Sequence, residues 1–493
     1  MEESRVEIFP GPLKNDLQEM VESFSVLFPD KLPESASNLQ SFEIELKPDF
    51  PVRPIPPRRV SPALREMVRA EIAVLLESGI IRPSRSAFSS PIVMVRKKDG
   101  TRRMCLDYRR LNEATVDNKR PLPQVKEVLS RLGGAKYYAT LDLRSGFHQV
   151  PMAEESIKYT AFATEDGLYE YTRLPFGLKN APAYFQRQMS ELVSSMRGCG
   201  AEVFIDDIVV YGEDEQTFMK RLRAVFELLK ENNICLKHTK CKLGFESLEH
   251  LGHIVSGEGI TLSEERKSAI RNLMVPKDNT TLKSFLGLAN YFRSFVPRYA
   301  IIAKPLTSLC SDKKPFSWGE EQQDSFDQIK NAIVNAPMLH FLDYDKEIIV
   351  RTDASNKGIG GHLLQEVDGI ERSVHFLSKA FSDTEKKWST IEQEAFAIFY
   401  TVTNLSSLLL GHKFTLQTDH RNLVYMHKAT APKIVRWRLR LAEYDFDVHH
   451  IVGKDNVVTD ALSRCFAVTE PSSASFGGSS RCDCGPLGPT PDL

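Results

Sequence analysis

The sequence predicts a multidomain protein of α/β and α+β class, and three observations support this prediction. The length of 493 residues is sufficient for two or three domains with sizeable cores. Strand-like stretches that contain carboxylates occur at residues 137–150, 201–212 and 348–364. Apolar residues at helical spacing occur at residues 64–78 and dominate residues 269–332. We therefore expect sheets and helices in more than one domain.

The charge of the chain is balanced overall but uneven locally. The 64 basic and 65 acidic residues leave no net charge that would indicate a partner. Many Lys and Arg side chains, however, lie between Arg82 and Arg110. Such a run is usually a solvated face. Beside a cluster of metal-binding carboxylates, it fits a phosphate-binding surface better.

The sequence indicates neither a membrane span nor a secretion signal nor a disulfide framework. No apolar stretch approaches the length of a transmembrane helix, and the N-terminus MEESRVEIFPGP has no apolar signal region. The eight cysteines are scattered, which indicates reduced thiols. Cys235, Cys241 and the nearby histidines do not have the spacing of a common zinc finger. We therefore expect a soluble intracellular protein that is not secreted.

The N-terminal part of the chain predicts two helices with an extended segment between them. Residues 13–27 have the pattern of an amphipathic helix. Residues 51–62, PVRPIPPRRVSP, are too rich in proline for a helix or a central strand. Residues 64–78 have the spacing of a helix that packs on a core and ends at Gly79.

Three carboxylates lie in two of the strand-like stretches. Asp206 and Asp207 occupy the bend of AEVFIDDIVVYG (residues 201–212), a pattern typical of strand, tight turn and strand. Asp142 interrupts the run YYATLDLRSGFHQV (residues 137–150). Neighbouring carboxylates in apolar surroundings repel each other and lose hydration, so they require a cation. A solvated hairpin tip is the alternative, but two similar stretches favour the two-metal site of a polymerase.

These motifs resemble the palm motifs of reverse transcriptases from gypsy-type LTR retrotransposons. The resemblance rests on FIDD, on LDLRSGFHQV and on LPFGLKNAPAYFQRQM (residues 174–189), and it extends from SSPIVMVRKKDGTRRMCLDYRRLN to TDALSR at Asp460. It implies a right-hand polymerase with fingers, palm and thumb, which copies RNA into DNA. It also implies that Asp142, Asp206 and Asp207 are catalytic and hold two Mg²⁺ ions, with Mn²⁺ as a substitute.

The resemblance also implies roles for four residues near the incoming nucleotide. Residues 91–110 predict a β-hairpin, and Lys97 and Arg103 on it match residues that bind the triphosphate. Phe147 matches an aromatic residue beneath the sugar, where a rigid ring excludes a ribose 2′-hydroxyl. A simple core phenylalanine is the alternative for Phe147. Phe176, in the LPFG turn, matches a residue beside the nascent base pair.

The motif LGHIVS resembles the hairpin that grips the primer terminus, with Leu251 and Gly252 as the grip residues. The helical region that follows it corresponds to the thumb. Three of its basic residues, Lys283, Arg293 and Arg298, either contact the duplex backbone or are solvated, and the sequence leaves both alternatives open.

A second set of carboxylates follows the helical region. Residues 348–364, IIVRTDASNKGIGGHLL, predict strand, turn and strand, and place Asp353 at the end of a buried strand. The chain lacks the Asp-Thr/Ser-Gly triplet of an aspartic protease. Glu394 opens the predicted helix EAFAIFYTV, Asp419 ends the strand FTLQTDH, and Asp460 lies in NVVTDALSR. This order resembles ribonuclease H, which implies four catalytic carboxylates that hold two Mg²⁺ ions and hydrolyse RNA.

The sequence departs from the family pattern at three places. His450 lies where gypsy-type enzymes usually have tyrosine, and proton transfer during product release is one interpretation of it. Residues 404–408, NLSSL, and His362 also differ from the usual residues. We expect these differences to affect the contact with the substrate and not the metal chemistry.

The resemblance divides the chain into five regions. They are an N-terminal lead-in (1–50), fingers and palm (51–256), a thumb with connecting helices (257–336), a ribonuclease H domain (337–465) and a disordered tail (466–493). The tail is rich in Ser, Gly and Pro and has no periodicity, which is typical of disorder.

The predicted function is that of an RNA-directed DNA polymerase joined to a ribonuclease H. The expected partners are an RNA template, a DNA or tRNA primer, dNTPs, the RNA/DNA hybrid and other Pol parts such as protease and integrase. A homodimer is compatible with this prediction. The expected locations are the cytoplasm, within a virus-like particle, and the nucleus. The alternative is an inactive or domesticated nucleic-acid-binding protein, and the seven intact carboxylates argue against it.

Overall fold

The computed structural model describes residues 6–48, 61–96, 102–118, 123, 125–195, 200–310, 315–419 and 431–451. The chain forms two compact units. The first comprises Met1–Val296, Ile302–Ile348 and Leu363–His375, and the second comprises Pro297–Ile301, Ile349–His362 and Phe376–Leu493. Lys97, Asp460 and the tail from residue 466, for which the sequence makes predictions, lie outside the described residues. None of the described helices combines the length and the hydrophobicity needed to cross a lipid bilayer.

The part of the chain up to residue 212 forms small sheets with short helices around them. Its strands and helices are β1 (Glu7–Ile8), α1 (Lys14–Ser23), α2 (Pro62–Glu77), β2 (Ile81–Pro83), β3 (Ile92–Arg96), β4 (Arg102–Leu106), α3 (Arg109–Ala114), α4 (Val125–Ser130), β5 (Tyr137–Asp142), α5 (Glu154–Ile157), β6 (Phe162–Ala163), β7 (Leu168–Tyr171), α6 (Ala181–Ser194), β8 (Ala201–Phe204) and β9 (Asp207–Gly212). The two predicted N-terminal helices are present as α1 and α2. The strand predicted across residues 137–150 ends at Asp142. It stops there because Ser145 has a φ of 50° and a 3₁₀ helix, Gly146–Gln149, follows.

The next part of the first unit is mostly helical, as the apolar spacing predicts. Its elements, with α10 shared between the two units, are α7 (Glu215–Glu231), β10 (Lys242–Phe245), β11 (Ser247–His250), β12 (His253–Ser256), β13 (Gly259–Leu262), α8 (Glu264–Arg271), α9 (Asn279–Tyr291), α10 (Tyr299–Ile302), α11 (Lys304–Leu309), α12 (Glu320–Val334) and β14 (Leu339–His340). Ser263 and Asp278 cap α8 and α9, because their side chains accept hydrogen bonds from backbone N–H groups of the first turn. Strands β11, β12, β13 and β14 form a four-stranded sheet in this order.

Five strands form the central sheet of the first unit, in the order β1-β10-β5-β9-β8. Strands β5 and β9 are antiparallel, with Asp142 opposite Asp207. Strands β8 and β9 form a hairpin in which Phe204 is opposite Asp207. This confirms the strand, turn and strand predicted for residues 201–212. The antiparallel pairing brings Asp142, Asp206 and Asp207 to one end of the sheet.

Residues that precede position 50 are part of this central fold. Strand β1 pairs in parallel with β10, and Glu7 is opposite Lys242. Leu17 of α1 is buried in the same core as Leu141 of β5. The predicted lead-in of residues 1–50 therefore completes the sheet and the core of the palm.

The predicted hairpin of residues 91–110 is present as a separate two-stranded sheet. Strands β3 and β4 are antiparallel, with Ile92 opposite Leu106. Residues 97–101, which connect the two strands, lie outside the described residues. A further sheet in the same region has the strand order β2-β7-β6.

The C-terminal part of the described chain is built around a five-stranded sheet. Its elements are β15 (Ile348–Ser355), β16 (Gly358–Val367), β17 (Ile370–Ala380), α13 (Thr390–Asn404), α14 (Ser406–Leu409), β18 (Phe414–Thr418), α15 (Pro432–Leu441) and β19 (Phe446–His450). The strand order is β17-β16-β15-β18-β19, and β18 is parallel to both β15 and β19. Parallel neighbours require a crossover, and helices α13 and α14 provide the crossover that leads to β18.

The start of helix α13 differs from the prediction. Glu394 was predicted to open this helix, but the helix begins four residues earlier, at Thr390. The reason is a capping box, in which Ser389 and Glu392 exchange hydrogen bonds between their side chains and backbone N–H groups. Glu394 therefore lies inside the helix and is buried.

Candidate active sites

The turn between β8 and β9 positions Asp206. Only Ile205 and Asp206 connect the paired residues Phe204 and Asp207. Ile205 has a φ of 53°, which is a strained conformation for a β-branched residue. A turn of two residues keeps Asp206 and Asp207 at the same end of the sheet.

Asp142 joins these two residues from the neighbouring strand. It is opposite Asp207 in the ladder of β5 and β9. The backbone N–H of Leu143 donates to the carbonyl oxygen of Asp206 at 3.1 Å. Leu141 and Leu143 are buried, whereas Asp142 is half-buried, as the alternation of a strand requires. The structure thus brings together the three aspartates that the sequence predicted.

Burial and repulsion disfavour the charged forms of the Asp206 and Asp207 carboxyl groups. Burial, followed by the charges of Asp207 and Asp142, raises the pKa of Asp206 to about 6. Burial and Asp142 also raise the pKa of Asp207. Lys240 partly compensates, because its Nζ donates to Oδ2 of Asp142 at 2.8 Å. A further cation would stabilise the ionised cluster.

The surroundings of Asp206 fit a ligand of a hard cation. Its Oδ1 is buried and has no hydrogen-bond partner among the described residues. An ideal Cβ at Gly146 would lie 2.6 Å from this oxygen, so Asp206 occupies a closely fitted space. An unpartnered carboxylate oxygen is a suitable ligand for Mg²⁺ or Mn²⁺. In the described part of the chain, however, this triad is not a group whose ligand atoms all lie within 4.8 Å of one another.

The described residues predicted to contact the nucleotide form a chain of aromatic contacts. The guanidinium carbon of Arg103 lies 4.6 Å from the centroid of the Phe176 ring. The ring centroids of Phe176 and Phe147 are 5.1 Å apart, and Phe147 packs edge-on against Phe185 at 5.3 Å. The cation–π contact therefore links the hairpin residue Arg103 to the palm. Phe147 is also buried, so it is at the same time a core residue.

Two residues beside the first centre were missed by the sequence analysis. Lys240, in the 3₁₀ helix His238–Lys240, contacts Asp142 across 98 residues of sequence. Gln186 of α6 is buried and bonds to both sides of the catalytic turn. The available signal for Gln186 was a polar residue on the buried face of an amphipathic helix. No local signal marked Lys240.

The predicted primer-grip hairpin is fixed to two helices of the predicted thumb. Leu251 and Gly252 form the turn between β11 and β12, and both have positive φ angles, of 53° and 79°. The hydroxyl of Tyr291 in α9 donates to the carbonyl oxygen of Leu251 at 3.1 Å. Arg266 of α8 lies close to Gly252, whose ideal Cβ would be 2.8 Å from the Arg266 Nε.

Three of the four carboxylates predicted for the nuclease lie together. Asp353 is in β15, Glu394 is in α13, and Asp419 follows the last residue of β18. The parallel ladder places Thr352 opposite Thr418, so the residues that follow them lie side by side. One carboxylate oxygen from each of the three lies within 4.8 Å of the other two. A set of carboxylate oxygens suits a hard divalent cation.

Glu394 is strongly affected by its neighbours. Burial, followed by the charges of Asp353 and Asp419, raises the pKa of Glu394 to about 8. Its Oε2 is buried and has no hydrogen-bond partner among the described residues. A bound cation would offset both the repulsion and the missing hydrogen bond, so these three residues fit a metal site.

Two basic side chains adjoin this second centre. Nη2 of Arg298 lies 3.1 Å from Oδ2 of Asp353. Arg298, which the sequence left between a duplex contact and a solvated charge, is therefore ion-paired with a predicted metal ligand. Nε2 of His450 lies 3.0 Å from the backbone carbonyl oxygen of Asp419. The role of His450 in proton transfer stays a prediction.

The fold and the two carboxylate centres define a reverse transcriptase followed by a ribonuclease H-like domain. Residues 95–255 match the reverse transcriptase (RNA-dependent DNA polymerase) family, and residues 343–444 match the RNase H-like domain found in reverse transcriptase. Both families depend on divalent metal ions. The chain contains both domains, and its relatives include Pol polyproteins of LTR transposons such as gypsy, which confirms the resemblance seen in the sequence.

Two relatives and one solved structure illustrate this similarity. The chain is 36% identical over 466 residues to the retrovirus-related Pol polyprotein from transposon 412 of Drosophila melanogaster, which covers 93% of the chain and 37% of the relative. It is 34% identical over 420 residues to that from transposon gypsy of the same organism, with coverages of 81% and 40%. The chain thus spans about two fifths of these relatives.

The solved structure is that of the foamy viral protease-reverse transcriptase in complex with dsDNA. The TM-score is 0.78 at 25% identity, and the match covers 90% of this chain and 94% of that chain. This similarity confirms the predicted multidomain fold, a right-hand polymerase with a ribonuclease H-like domain.

Proposed function

We propose that the chain copies RNA into DNA at its first centre and degrades the RNA strand of the RNA/DNA hybrid at its second centre. The observation that carries this proposal is the presence of two separate carboxylate centres. Each contains a buried carboxylate oxygen without a hydrogen-bond partner among the described residues, on Asp206 and on Glu394. The two activities are complementary, because copying RNA produces the hybrid that a ribonuclease H consumes.

At the first centre, Asp142, Asp206 and Asp207 would hold Mg²⁺, with Mn²⁺ as a substitute. Bound ions at such a site activate the primer 3′-hydroxyl and neutralise the charge of the leaving pyrophosphate. Asp206 must be deprotonated to act as a ligand. Arg103 would bind the triphosphate through charge-assisted hydrogen bonds. The ring of Phe147 would exclude a ribose 2′-hydroxyl.

Other residues of the first unit would position the nucleic acid. Phe176 would contact the nascent base pair, and its contact with Arg103 would keep the triphosphate close to that pair. The turn of Leu251 and Gly252 would hold the primer terminus. Lys97 is proposed as a second triphosphate ligand from the resemblance alone.

At the second centre, Asp353, Glu394 and Asp419 would hold Mg²⁺, and Asp460 is proposed as a fourth ligand. Ions at such a site present a water molecule to the scissile phosphate. The 2′-hydroxyl is the group by which the site would distinguish RNA from DNA. His450 would assist product release by proton transfer.

The proposed partners are an RNA template, a DNA or tRNA primer, dNTPs and the RNA/DNA hybrid. The presence of a ribonuclease H-like domain supports the hybrid, and the similarity to a reverse transcriptase solved with dsDNA supports the binding of a duplex. Assembly with other parts of a Pol polyprotein, or as a homodimer, is part of the proposal.

One reaction tests both activities. The purified chain is mixed with Mg²⁺, dNTPs and a labelled RNA template annealed to a labelled DNA primer. We expect primer extension and RNA cleavage together. Asp206→Asn should abolish extension and keep cleavage, and Asp353→Asn should do the opposite, because each removes a ligand of one centre only. Asp324→Asn, at an exposed carboxylate of α12, is the matched control and should keep both activities.

Two results of this reaction would contradict the proposal. If the wild-type chain binds the hybrid but changes neither strand, the catalytic proposal is wrong. An inactive nucleic-acid-binding protein is then the better explanation of the fold. If Asp206→Asn abolishes both activities while the protein stays folded, the two centres are not independent.

A further inference from the structure

Arg298 places a positive charge beside the nuclease carboxylates. Its Nη2 lies 3.1 Å from Oδ2 of Asp353, and about a quarter of the Arg298 side chain and a fifth of the Asp353 side chain are exposed, 24% and 19%. An ion pair with this little exposure is screened less than a surface pair. Asp353 is one of the three carboxylates whose oxygens converge within 4.8 Å. The guanidinium therefore neutralises one member of the cluster.

The backbone holds Arg298 at this place in spite of conformational strain. Its φ of 54° lies in the left-handed region, which favours Gly or Asn over Arg. The backbone N–H of Ala300 donates to Oγ of Ser378 at 2.9 Å, which anchors the segment to β17. An ideal Cβ at Gly360 would lie 3.7 Å from Cγ of Arg298, so the stem of the arginine lies against β16.

The position of the guanidinium is stable but not ideal. Nε of Arg298 is buried and has no hydrogen-bond partner among the described residues. A buried donor without a partner costs free energy, and the backbone strain adds to this cost. The ion pair with Asp353 must offset both. The net stabilisation from the ion pair between Arg298 and Asp353 is therefore moderate. A divalent cation that competes for Asp353 has to overcome only this moderate free energy.

A divalent cation and Arg298 have opposite requirements at Asp353. The guanidinium neutralises the carboxylate charge of Asp353 that would otherwise attract a metal ion. Two cations on one carboxylate also repel each other. Without the Arg298 guanidinium, less positive charge would oppose the binding of a divalent ion at Asp353. In the absence of any cation, Asp353, Glu394 and Asp419 would instead repel one another.

We propose that Arg298 is a resident cation of the nuclease centre, which a divalent ion must displace from Asp353. This inference rests on the proposed ribonuclease H function of the same centre. Arg298 stabilises the metal-free cluster and lowers its affinity for metal. Occupation of the nuclease centre by metal and release of the Arg298 guanidinium are then one coupled event.

The test measures metal binding directly, with Mn²⁺ as the probe. Free Mn²⁺ is followed by electron paramagnetic resonance in the full chain with Asp206→Asn, which weakens the polymerase centre. Asp353→Asn in this background identifies the signal of the nuclease centre. Arg298→Gln removes the charge and Arg298→Lys keeps it. Lys304→Gln removes an exposed cation of α11 and is the matched control.

We expect Arg298→Gln to bind Mn²⁺ at least about fivefold more tightly than the parent Asp206→Asn chain, because the ion pair with Asp353 no longer has to be broken. The affinities of Arg298→Lys and Lys304→Gln for Mn²⁺ should stay within about twofold of the parent. The proposal is overturned if Arg298→Gln binds Mn²⁺ equally or more weakly. It is also overturned if Asp353→Asn leaves the Mn²⁺ isotherm unchanged. Arg298→Asn, which relaxes the backbone, replaces the Gln variant if that variant does not fold.

Thermal unfolding gives a second readout that a purely structural arginine would not produce. In metal-free buffer, the Tm of Arg298→Gln should lie below that of the parent, because the Asp353 carboxylate loses its ion pair with Arg298. With saturating Mn²⁺, its Tm should equal or exceed that of the parent. A lower Tm under both conditions means that Arg298 is only structural and overturns the proposal.

The cleavage assay separates this inference from the proposed function. If the parent cleaves the hybrid but Arg298→Gln binds Mn²⁺ no more tightly, only the inference about Arg298 is wrong. If the parent does not cleave the hybrid, the proposed function fails. The Mn²⁺ isotherms still decide whether Arg298 opposes metal binding.

Discussion

The side chain of Gln186 holds the catalytic turn from both sides. Its Oε1 accepts a hydrogen bond from the backbone N–H of Ile205 at 2.6 Å, and its Nε2 donates to the carbonyl oxygen of Val203 at 2.9 Å. Ile205 has the strained positive φ of the turn that carries Asp206. Gln186 therefore stabilises a turn in which a β-branched residue, Ile205, adopts an unfavourable positive φ.

The first prediction concerns this clamp. Gln186→Leu should lower the rate of primer extension about tenfold or more, because Asp206 is no longer held in place. It should also lower the free energy of unfolding by about 1–3 kcal/mol, since Ile205 N–H and Val203 C=O lose a buried partner. Single-turnover primer extension and urea unfolding measure the two effects.

A neighbouring glutamine is the control for Gln186. Gln188, on the same helix, is also buried and bonds to Gln40 instead of the turn. Gln188→Leu should reduce stability without the loss of extension rate. Equal extension rates for the two variants would show that the clamp does not position Asp206.

Local patterns in the sequence were sufficient for the strands that carry the carboxylates. Alternating and continuous apolar runs predicted β5, β8, β9, β15 and β18, and the acidic residues interrupt or end these runs. The position of Glu394 was predicted one turn wrong, because the capping box of Ser389 and Glu392 lies outside the apolar run.

Contacts between distant parts of the chain were not predictable from such patterns. Strand β1 joins the palm sheet through β10, and Lys240 reaches Asp142 across 98 residues. Gln186 contacts Ile205 only because α6 packs beside the hairpin. These contacts depend on tertiary packing, which periodicity and spacing do not encode.

The second prediction concerns Gly146 in the first centre. Gly146→Ala should reduce primer extension about a hundredfold, because the new methyl group would lie 2.6 Å from Oδ1 of Asp206 and displace it. RNA cleavage should be unchanged. Gly287→Ala is the control, because its ideal Cβ has no heavy atom within 4 Å. Normal extension by Gly146→Ala would mean that Asp206 tolerates displacement.

The third prediction is the pH dependence of the polymerase centre. The pKa of Asp206 is raised to about 6, so the carboxyl group is protonated below this pH and cannot bind metal. At subsaturating Mg²⁺, kcat/KM for extension should fall about tenfold per pH unit below 6. Because metal favours the ionised form, saturating Mg²⁺ should shift this midpoint to lower pH.

The same pKa has a consequence for stability without metal. Because the pKa of Asp206 is higher in the folded than in the unfolded state, the folded state binds more protons. The contribution of Asp206 to the free energy of unfolding is therefore lost as the pH rises from about 4 to about 6. Asp206→Asn should remove this part of the dependence. In the extension assay at low Mg²⁺, a rate that is constant over the same pH range would contradict the assignment of Asp206 as a metal ligand.

The fourth prediction tests the selection of deoxynucleotides. Phe147→Val should raise ribonucleotide incorporation relative to deoxynucleotide incorporation by about ten- to a hundredfold, because the ring that blocks the 2′-hydroxyl is gone. It should also cost roughly 1–3 kcal/mol of stability, since Phe147 packs on Phe176 and Phe185. Phe226→Val, in the buried face of α7, should cost stability without a change in sugar selection.

The fifth prediction follows from the environment of Glu394 in the nuclease centre. Burial and the charges of Asp353 and Asp419 raise its pKa to about 8, so Glu394 is protonated at neutral pH without metal. Metal binding at about pH 7 should therefore release close to one proton, and the affinity for Mn²⁺ should rise with pH until about 8. Titration calorimetry in two buffers of different ionisation enthalpy measures the proton release.

Two variants of helix α13 decide whether Glu394 is the source of this proton. Glu394→Gln should abolish the release, because it removes the carboxyl group whose pKa is raised. Glu392 belongs to the capping box, and its hydrogen bond with the Ser389 N–H lowers its pKa. Glu392→Gln should therefore keep the proton release and reduce only the stability of the protein. Because the polymerase centre depends on a pKa of about 6 and the nuclease centre on one of about 8, raising the pH from 7 to 8 should strengthen metal binding at the nuclease centre alone. A parallel rise at both centres would mean that the charge of Glu394 does not limit metal binding.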